Sequence, residues 1–388
     1  MPSSLPHLVD VLITPDVVAG GTGPLSLGLL AGDGAVYWGD VTLPVGVDRP
    51  AAVASALRLR ERITPALSGQ RLESLRDLCG RVRSAVGEEG VLGEALLAAA
   101  QEAWLEAVRS ADDAVGRLRR DYAFPDDEAL PATPACFLEI SDHAATADQV
   151  DRMLALRPAG IGYRLTGGSV AEAIGANGEH LQRFVRELGR RAETLAPGER
   201  YRPSVYLGLN GALGQLAGDP VRHIGKVLGN VVGLQTAAGE RQLILEEPFL
   251  LDDVLGQAAN LHRLREFIRR TPDSLKRAAP TLLAARAPAS PDEAQVYSDT
   301  DAAHVLVTEL PGDMDAALTS LSRTAAGLAS YWRLPTAATP RQAALAVFLV
   351  RVARSAAVLV SCDADMATLP AFVLRLLAEQ NVTPSPAR

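Results

Sequence analysis

The chain has 388 residues, 48% hydrophobic and 22% charged, so it is long enough for one large domain plus a smaller one and balanced as a soluble globular protein. A net charge of -8 disfavours nucleic acid as a partner, and no apolar run approaches the ~18 residues of a membrane span. The three cysteines form no CxxC pair, and the amino terminus has no basic region followed by an apolar stretch, so the reading is a cytoplasmic protein with reduced thiols.

Residues 8–14 read as a strand, and residues 25–31 and 35–42 as a hairpin joined through Gly32-Asp33-Gly34. Helical spacing of apolar residues then predicts helices over 50–66, 71–85 and 89–120, closed by Pro125. The first 125 residues therefore read as an α+β domain.

Beyond residue 130 short apolar runs alternate with amphipathic helices, the pattern of repeated βα units around a parallel sheet. Strands are expected near 133–140, 159–165, 203–209, 242–246, 280–285, 303–309, 328–333 and 356–361. Helices are expected at 169–195, 219–232, 251–270, 314–325 and 340–354. Eight such units over ~250 residues predict an α/β fold of the (β/α)8 barrel type in residues 126–388, with residues 1–125 as a capping domain.

A parallel barrel delivers functional side chains at the C-terminal ends of its strands. Leu243-Ile244-Leu245-Glu246-Glu247-Pro248 puts two carboxylates at such an end. A family resemblance carried by other segments of the chain places Glu139, Arg164, Arg286 and Glu309 at further strand ends, which implies a mouth of mixed charge. Glu309 can serve as base or acid, or pair with Arg164; Arg164 can clamp a carboxylate or balance the acids. Glu246 is either a functional acid or a buried partner of Arg286.

Outside that set, His304 opens the sixth barrel strand at the far end and reads as structural. Asp142-His143 after the first barrel strand can orient and donate a proton or form an exposed loop pair, and His223 reads as a helix-capping residue. Gly167-Gly168-Ser169 is a plain βα turn or an anion-binding helix start, and Gly20-Gly21-Thr22-Gly23 a hairpin loop or a gate over the mouth.

Several segments in order resemble the enolase superfamily and, within it, the methylaspartate ammonia-lyase family. They are Val9-Asp10-Val11-Leu12 with Thr14-Pro15, the segment Asp148 to Met153, and the segment Gly175 to Leu181. Next come Gly211 to Gly214 with Asp219 to Arg222, then Leu245-Glu246-Glu247-Pro248, and last His304 with Pro311.

The resemblance implies an enolase-like barrel with a capping domain, a homodimer, and a magnesium ion held by carboxylates on strands three, four and five. Those ligand positions fall on Gly208, Glu246, and Ala285 or Arg286, so one of the three carboxylates is kept. The base lysine of strand six falls on Glu309 and a glutamine before it on Val307. The second-strand histidine falls on Arg164 or Tyr163, and a substrate-binding glutamine near Glu139 or Ser141. Only Lys226 and Lys276 are lysines, and neither stands at the mouth.

With these replacements the resemblance implies a metal-independent, methylaspartate ammonia-lyase-like enzyme doing lyase, cyclase or isomerase proton chemistry on a small carboxylate or amino-acid-like substrate. Glu309, Glu246, Arg164 and Glu139 are its catalytic candidates, and Arg286, Tyr163, Ser141 and Asn210 contact the substrate. Magnesium enters only if Glu246 recruits other ligands. The same losses leave a second reading open, a non-catalytic binding or scaffold barrel. An open polar mouth with Glu309 and Arg164 facing it marks the enzyme; a mouth plugged by salt bridges or by Tyr206 and Trp332 marks the scaffold.

Overall fold

The computed structural model describes residues 7–15, 25–43, 47–87, 90–110, 113–124, 135–140, 147–164, 183, 186–191, 193–194, 203–211, 242–249, 253–270, 281–288, 290–310, 312–323, 328–334, 339–353 and 355–362. Ser141, Asp142-His143, the glycine runs at 20–23 and 167–168, His223 and both lysines lie outside these residues.

Residues 1–127 form one compact unit together with two later segments, 310–322 and 339–353. Strands β1 (Leu8–Pro15), β2 (Leu25–Ala31) and β3 (Val36–Val41) pair antiparallel in that order. Helices α1 (Arg49–Leu67) and α3 (Gly90–Arg109) pack with this sheet, and α2 (Leu75–Val86) packs against both of them. The Ser74 hydroxyl starts α2 by accepting the Asp77 N–H at 3.1 Å, which satisfies a donor the first turn would leave bare. The expected single helix over 89–120 is instead two, because α3 ends at Arg109 and α4 (Ala114–Asp121) starts after Asp113 at φ 53°. Serine and aspartate compete with the helix for their own backbone groups, and Ser110-Ala111-Asp112-Asp113 is such a run.

A buried polar knot ties this unit together. Glu102 of α3 accepts the Asp40 N–H at 2.9 Å and Gln342 Nε2 at 3.0 Å. Asp40 in turn accepts Thr339 Oγ1 at 2.6 Å and Arg341 Nη1 at 2.9 Å.

The second unit holds a closed parallel barrel. Its strands are β4 (Ala135–Ile140), β5 (Gly160–Arg164), β6 (Ser204–Gly208), β7 (Leu243–Glu246), β8 (Thr281–Arg286), β9 (Val305–Glu309), β10 (Ala329–Leu334) and β11 (Ala357–Cys362), each beside the next, with β11 closing on β4. All eight lie within about two residues of their expected places. Helices α5 (Ala147–Leu156), α6 (Val254–Arg270), α7 (Pro291–Asp299), α8 (Met314–Arg323) and α9 (Pro340–Ala353) alternate with strands as expected, and α6, α8 and α9 fall in the ranges given for them. The expected helix at 219–232 and most of that at 169–195 lie outside the described residues. Among the described residues no helix is long and apolar enough to cross a membrane.

Inside the barrel Phe137, Tyr206, Ile244, Ala284, Val305, Val307, Tyr331, Ala357 and Leu359 pack into one cluster. β5 contributes no bulk there, since a Cβ on Gly160 would lie 2.1 Å from the Phe137 ring. Side chains alternate along a strand, so this layer fixes which residues of the next layer point into the mouth.

Burial raises the Glu102 carboxyl to about 7 despite its two N–H donors. A carboxyl raised on folding favours the folded state while protonated, so stability should fall as pH rises from 4.5 to about 7. Denaturant titrations across that range should show this slope, and Glu102→Gln should flatten it; an unchanged slope in the variant would assign it elsewhere.

Candidate functional site

Two residues beyond the interior cluster the strands carry Glu139, Arg164, Gly208, Glu246, Arg286, Glu309, Arg333 and Ser361. Three carboxylates and three guanidinium groups thus share the layer at the C-terminal ends of the strands. Four of these charges, Glu139, Arg164, Glu246 and Glu309, had been expected at the mouth, and so had Arg286. Arg333 had not.

Arg333 is the centre of the cluster and is 4% exposed. Its Nη1 and Nη2 donate to the two oxygens of Glu246 at 2.6 and 2.5 Å, a bidentate pair. Its Nε donates to Glu139 Oε2 at 3.0 Å, Nη1 reaches Glu309 Oε1 at 3.4 Å, and Nη2 donates to the Tyr206 hydroxyl at 3.2 Å. The guanidinium carbon stands 5.8 Å from the centre of the Tyr206 ring.

The outer charges are held more loosely. Arg164 lies 3.6 to 3.7 Å from Glu139, Glu246 and Glu309. Arg286 lies 3.4 Å from Glu247 and 3.7 Å from Glu309. Neither arginine makes a hydrogen bond within the cluster among the described residues, and both side chains reach solvent, 27% exposed for Arg164 and 52% for Arg286. Glu309, between them, is 43% exposed.

Two neighbouring carboxylates respond oppositely to one cation. Burial opposes the charge on Glu246, but the facing Arg333, its two hydrogen bonds and Arg164 outweigh it and hold the carboxyl below the usual range. Burial wins at Glu139 and raises it, because Arg333 offers that side chain a single N–H. The second oxygen of Glu139, Oε1, is buried without a hydrogen bond among the described residues, with Arg164 Nε 3.7 Å away. Burial also raises Glu247, whose backbone sits in the left-handed region at φ 44°. A non-glycine residue held there costs about 1–3 kcal/mol and is typical of functional sites.

Several expectations change in detail. The partner of Glu246 is Arg333, not Arg286, which faces Glu247. Trp332 does not plug the mouth: it alternates with Tyr331 and Arg333, and its Nε1 donates to Ser355 Oγ at 2.9 Å. Tyr206 is fully buried beneath Arg333. Of the paired alternatives, Arg164 and Arg286 share the interior face, while Ala285 follows the interior Ala284; the Tyr163 side chain lies outside the described residues. Asn210 is exposed at φ 46° and makes no hydrogen bond with the cluster. His304, at the opposite end, accepts the Leu283 N–H at 3.0 Å on Nδ1, and burial lowers it to about 4, so it is a neutral structural residue. The signal that could have found Arg333 is its place as the last charged residue of an expected strand, two positions after Tyr331.

Comparison with known proteins gives this geometry a context. Residues 134–318 match the family model for the methylaspartate ammonia-lyase C-terminus. The barrel resembles methylaspartate ammonia-lyase. The structure of that enzyme from Clostridium tetanomorphum superposes with a TM-score of 0.71 at 19% identity, covering 97% of this chain and 99% of that one. The Citrobacter amalonaticus enzyme containing (2S,3S)-3-methylaspartic acid gives 0.70 at 17% identity, covering 98% and 97%. A dipeptide epimerase from Methylococcus capsulatus complexed with magnesium gives 0.56 at 17% identity, covering 93% and 90%. No curated protein matches the sequence. The fold is therefore enolase-like, shared with enzymes of the methylaspartate ammonia-lyase and mandelate racemase groups.

The magnesium site implied by that likeness does not fit these residues. Both Glu246 oxygens are engaged by Arg333. A Cβ on Gly208 would lie 3.1 Å from Arg164 Cγ and 3.3 Å from Glu246 Oε2, so the third strand has no room for a ligand without moving that arginine. The fifth strand brings Arg286, a cation. Magnesium needs near-octahedral oxygen coordination, which this donor set does not supply.

Breaking a buried pair from one side leaves an uncompensated charge, a loss of about 3–5 kcal/mol. Glu246→Gln should lose that much in chemical denaturation, whereas Glu309→Gln, at a solvent-reached position, should lose less than ~1 kcal/mol. Equal losses would show that Arg333 does not rest chiefly on Glu246.

Proposed function

We propose that the chain is a divergent methylaspartate ammonia-lyase-like enzyme that moves a proton on a small carboxylate-bearing molecule without a metal ion. The observation that carries the reading is the uneven commitment of the three arginines: Arg333 is saturated, whereas among the described residues Arg164 and Arg286 lack hydrogen bonds within the cluster and reach solvent on either side of Glu309. A plug made for stability alone would engage all three.

In this reading the substrate carboxylate displaces the loose contacts to Glu309 and binds the forks of Arg164 and Arg286. Arginine suits this role because its planar donors match both oxygens of a carboxylate and it keeps its charge. Glu309, as carboxylate, takes the proton from the carbon beside the bound group. The electron pair left behind spreads onto the substrate carboxylate, where the two guanidinium groups stabilise it. Return of the proton on another face gives isomerisation, and departure of a leaving group gives elimination. Glu139 and Glu246 support the site from below, and Tyr163, Ser141 and Asn210 complete the substrate contacts. A homodimer and a cytoplasmic setting belong to the same reading.

One observation favours a binding barrel instead: Arg333 and Glu246 close the floor in a pair that needs no ligand. Screening amino acids and small carboxylates for elimination, cyclisation and isomerisation, with and without EDTA, separates the two. We expect EDTA-insensitive turnover that falls roughly 10²- to 10⁴-fold in Glu309→Gln and loses substrate affinity in Arg164→Lys. Unchanged turnover in Glu309→Gln would remove that residue from the mechanism, and binding without any turnover would establish the binding barrel.

A further inference from the structure

We infer that Glu247 is a positioning residue of the barrel mouth: it takes a costly backbone conformation so that its buried carboxylate faces Nε of Arg286 and leaves the Nη groups of that guanidinium for an incoming anion. The inference deepens the reading of Arg286 as a ligand-binding arginine and rests on it; Glu247 itself takes no part in the proton transfer. Ile244 and Glu246 of β7 point inward, so strand alternation alone would send the next side chain away from the mouth. The backbone at Glu247 turns instead into the left-handed region, φ 44°, which only glycine adopts without cost. Neighbouring strand ends pin it there: its N–H donates to the Ala284 carbonyl at 2.9 Å, and its carbonyl accepts the Gly211 N–H at 2.7 Å. The chain just beyond is held as well, since Tyr297 donates to Gln257 Oε1 at 2.5 Å and Gln257 Nε2 donates to the Phe249 carbonyl at 3.1 Å.

A second observation is independent of the backbone. The Glu247 side chain is 2% exposed and its Oε1 stands 3.4 Å from Arg286 Nε, whereas Arg286 is 52% exposed. Among the described residues the other acid beside Arg286 is Glu309, 3.7 Å from Nη2. Burial works against the charge on Glu247, and Arg286 works for it. Arginine presents five donors in a planar fork, so a partner on Nε fixes the plane and leaves both Nη groups to meet the two oxygens of a carboxylate.

The test treats the full-length protein with phenylglyoxal, which attacks arginine side chains, and reads the modification of Arg286 and Arg164 separately by peptide mass spectrometry. Wild type is compared with Glu247→Gly, which relieves the backbone and removes the carboxylate, and with Glu247→Gln, which keeps the shape without the charge. Arg286 should react roughly twofold to fivefold faster in both variants, the factor a part-exposed ion pair sets, while Arg164 keeps its wild-type rate. Glu247→Gly should hold or raise the denaturant midpoint, because glycine takes this conformation without cost. Succinate should protect Arg286 in wild type, and Glu247→Gln should need about fivefold more of it for the same protection. If succinate gives no protection in wild type, the catalytic reading fails while the two modification rates still decide this inference. Four results would overturn it: a wild-type rate at Arg286 in both variants, Arg286 and Arg164 accelerating together as in a loosened fold, a lowered midpoint in Glu247→Gly, or equal protection by succinate in wild type and Glu247→Gln.

Discussion

The mouth of this barrel is organised by the need to neutralise a buried guanidinium. Arg333 is 4% exposed, and an isolated charge there would cost several kcal/mol in lost hydration. Glu246 meets that need with both oxygens and Glu139 adds a third. The placing of the other charges depends on this pairing. With two acids committed inward, Arg164 is left at 3.6 Å or more from every carboxylate, and Glu309 spans Arg164, Arg286 and Arg333 without closing tightly on any of them.

The same constraint separates this chain from the magnesium chemistry its fold suggests. A divalent ion ~4 Å from a guanidinium is repelled by about 8 kcal/mol at an effective dielectric of ~20, which cancels the attraction of one carboxylate at the same distance. Gly208 is consistent with that replacement. Its missing side chain leaves space that the Arg164 stem takes, with Glu246 against it. Likeness of fold at 17 to 19% identity thus coexists with a different charge arrangement at the strand ends, since fold and site chemistry vary separately.

How much could be read from the sequence depended on range. The eight barrel strands were legible because each is a short apolar run between helical patterns, as Val305 to Glu309 or Ala357 to Cys362 illustrate. The break at Ser110 to Asp113 was obscured by strong helical spacing on both sides, although its aspartates are turn formers. Glu246 was found from its strand-end position, and Glu139, Arg164, Arg286 and Glu309 from the family resemblance that carried site positions onto the other strand ends. Arg333 was missed because its partners lie across the barrel, on β4 and β7, and cross-barrel pairing leaves no local mark. Strand alternation from Tyr331 would have placed it inside, and alternation from Gly160 and Gly162 likewise places Arg164 on the interior face.

The central claim is that Arg333 and Glu246 form a mutually dependent buried pair rather than two independently tolerated charges. A double-mutant cycle with Arg333→Met, Glu246→Gln and the combined variant, followed by denaturant unfolding at neutral pH, measures that dependence directly. A coupling free energy of about 2 kcal/mol or more, with the double variant more stable than the sum of the single losses predicts, is the expected result. Additive losses would contradict the account, because each charge would then be supported by something other than its partner.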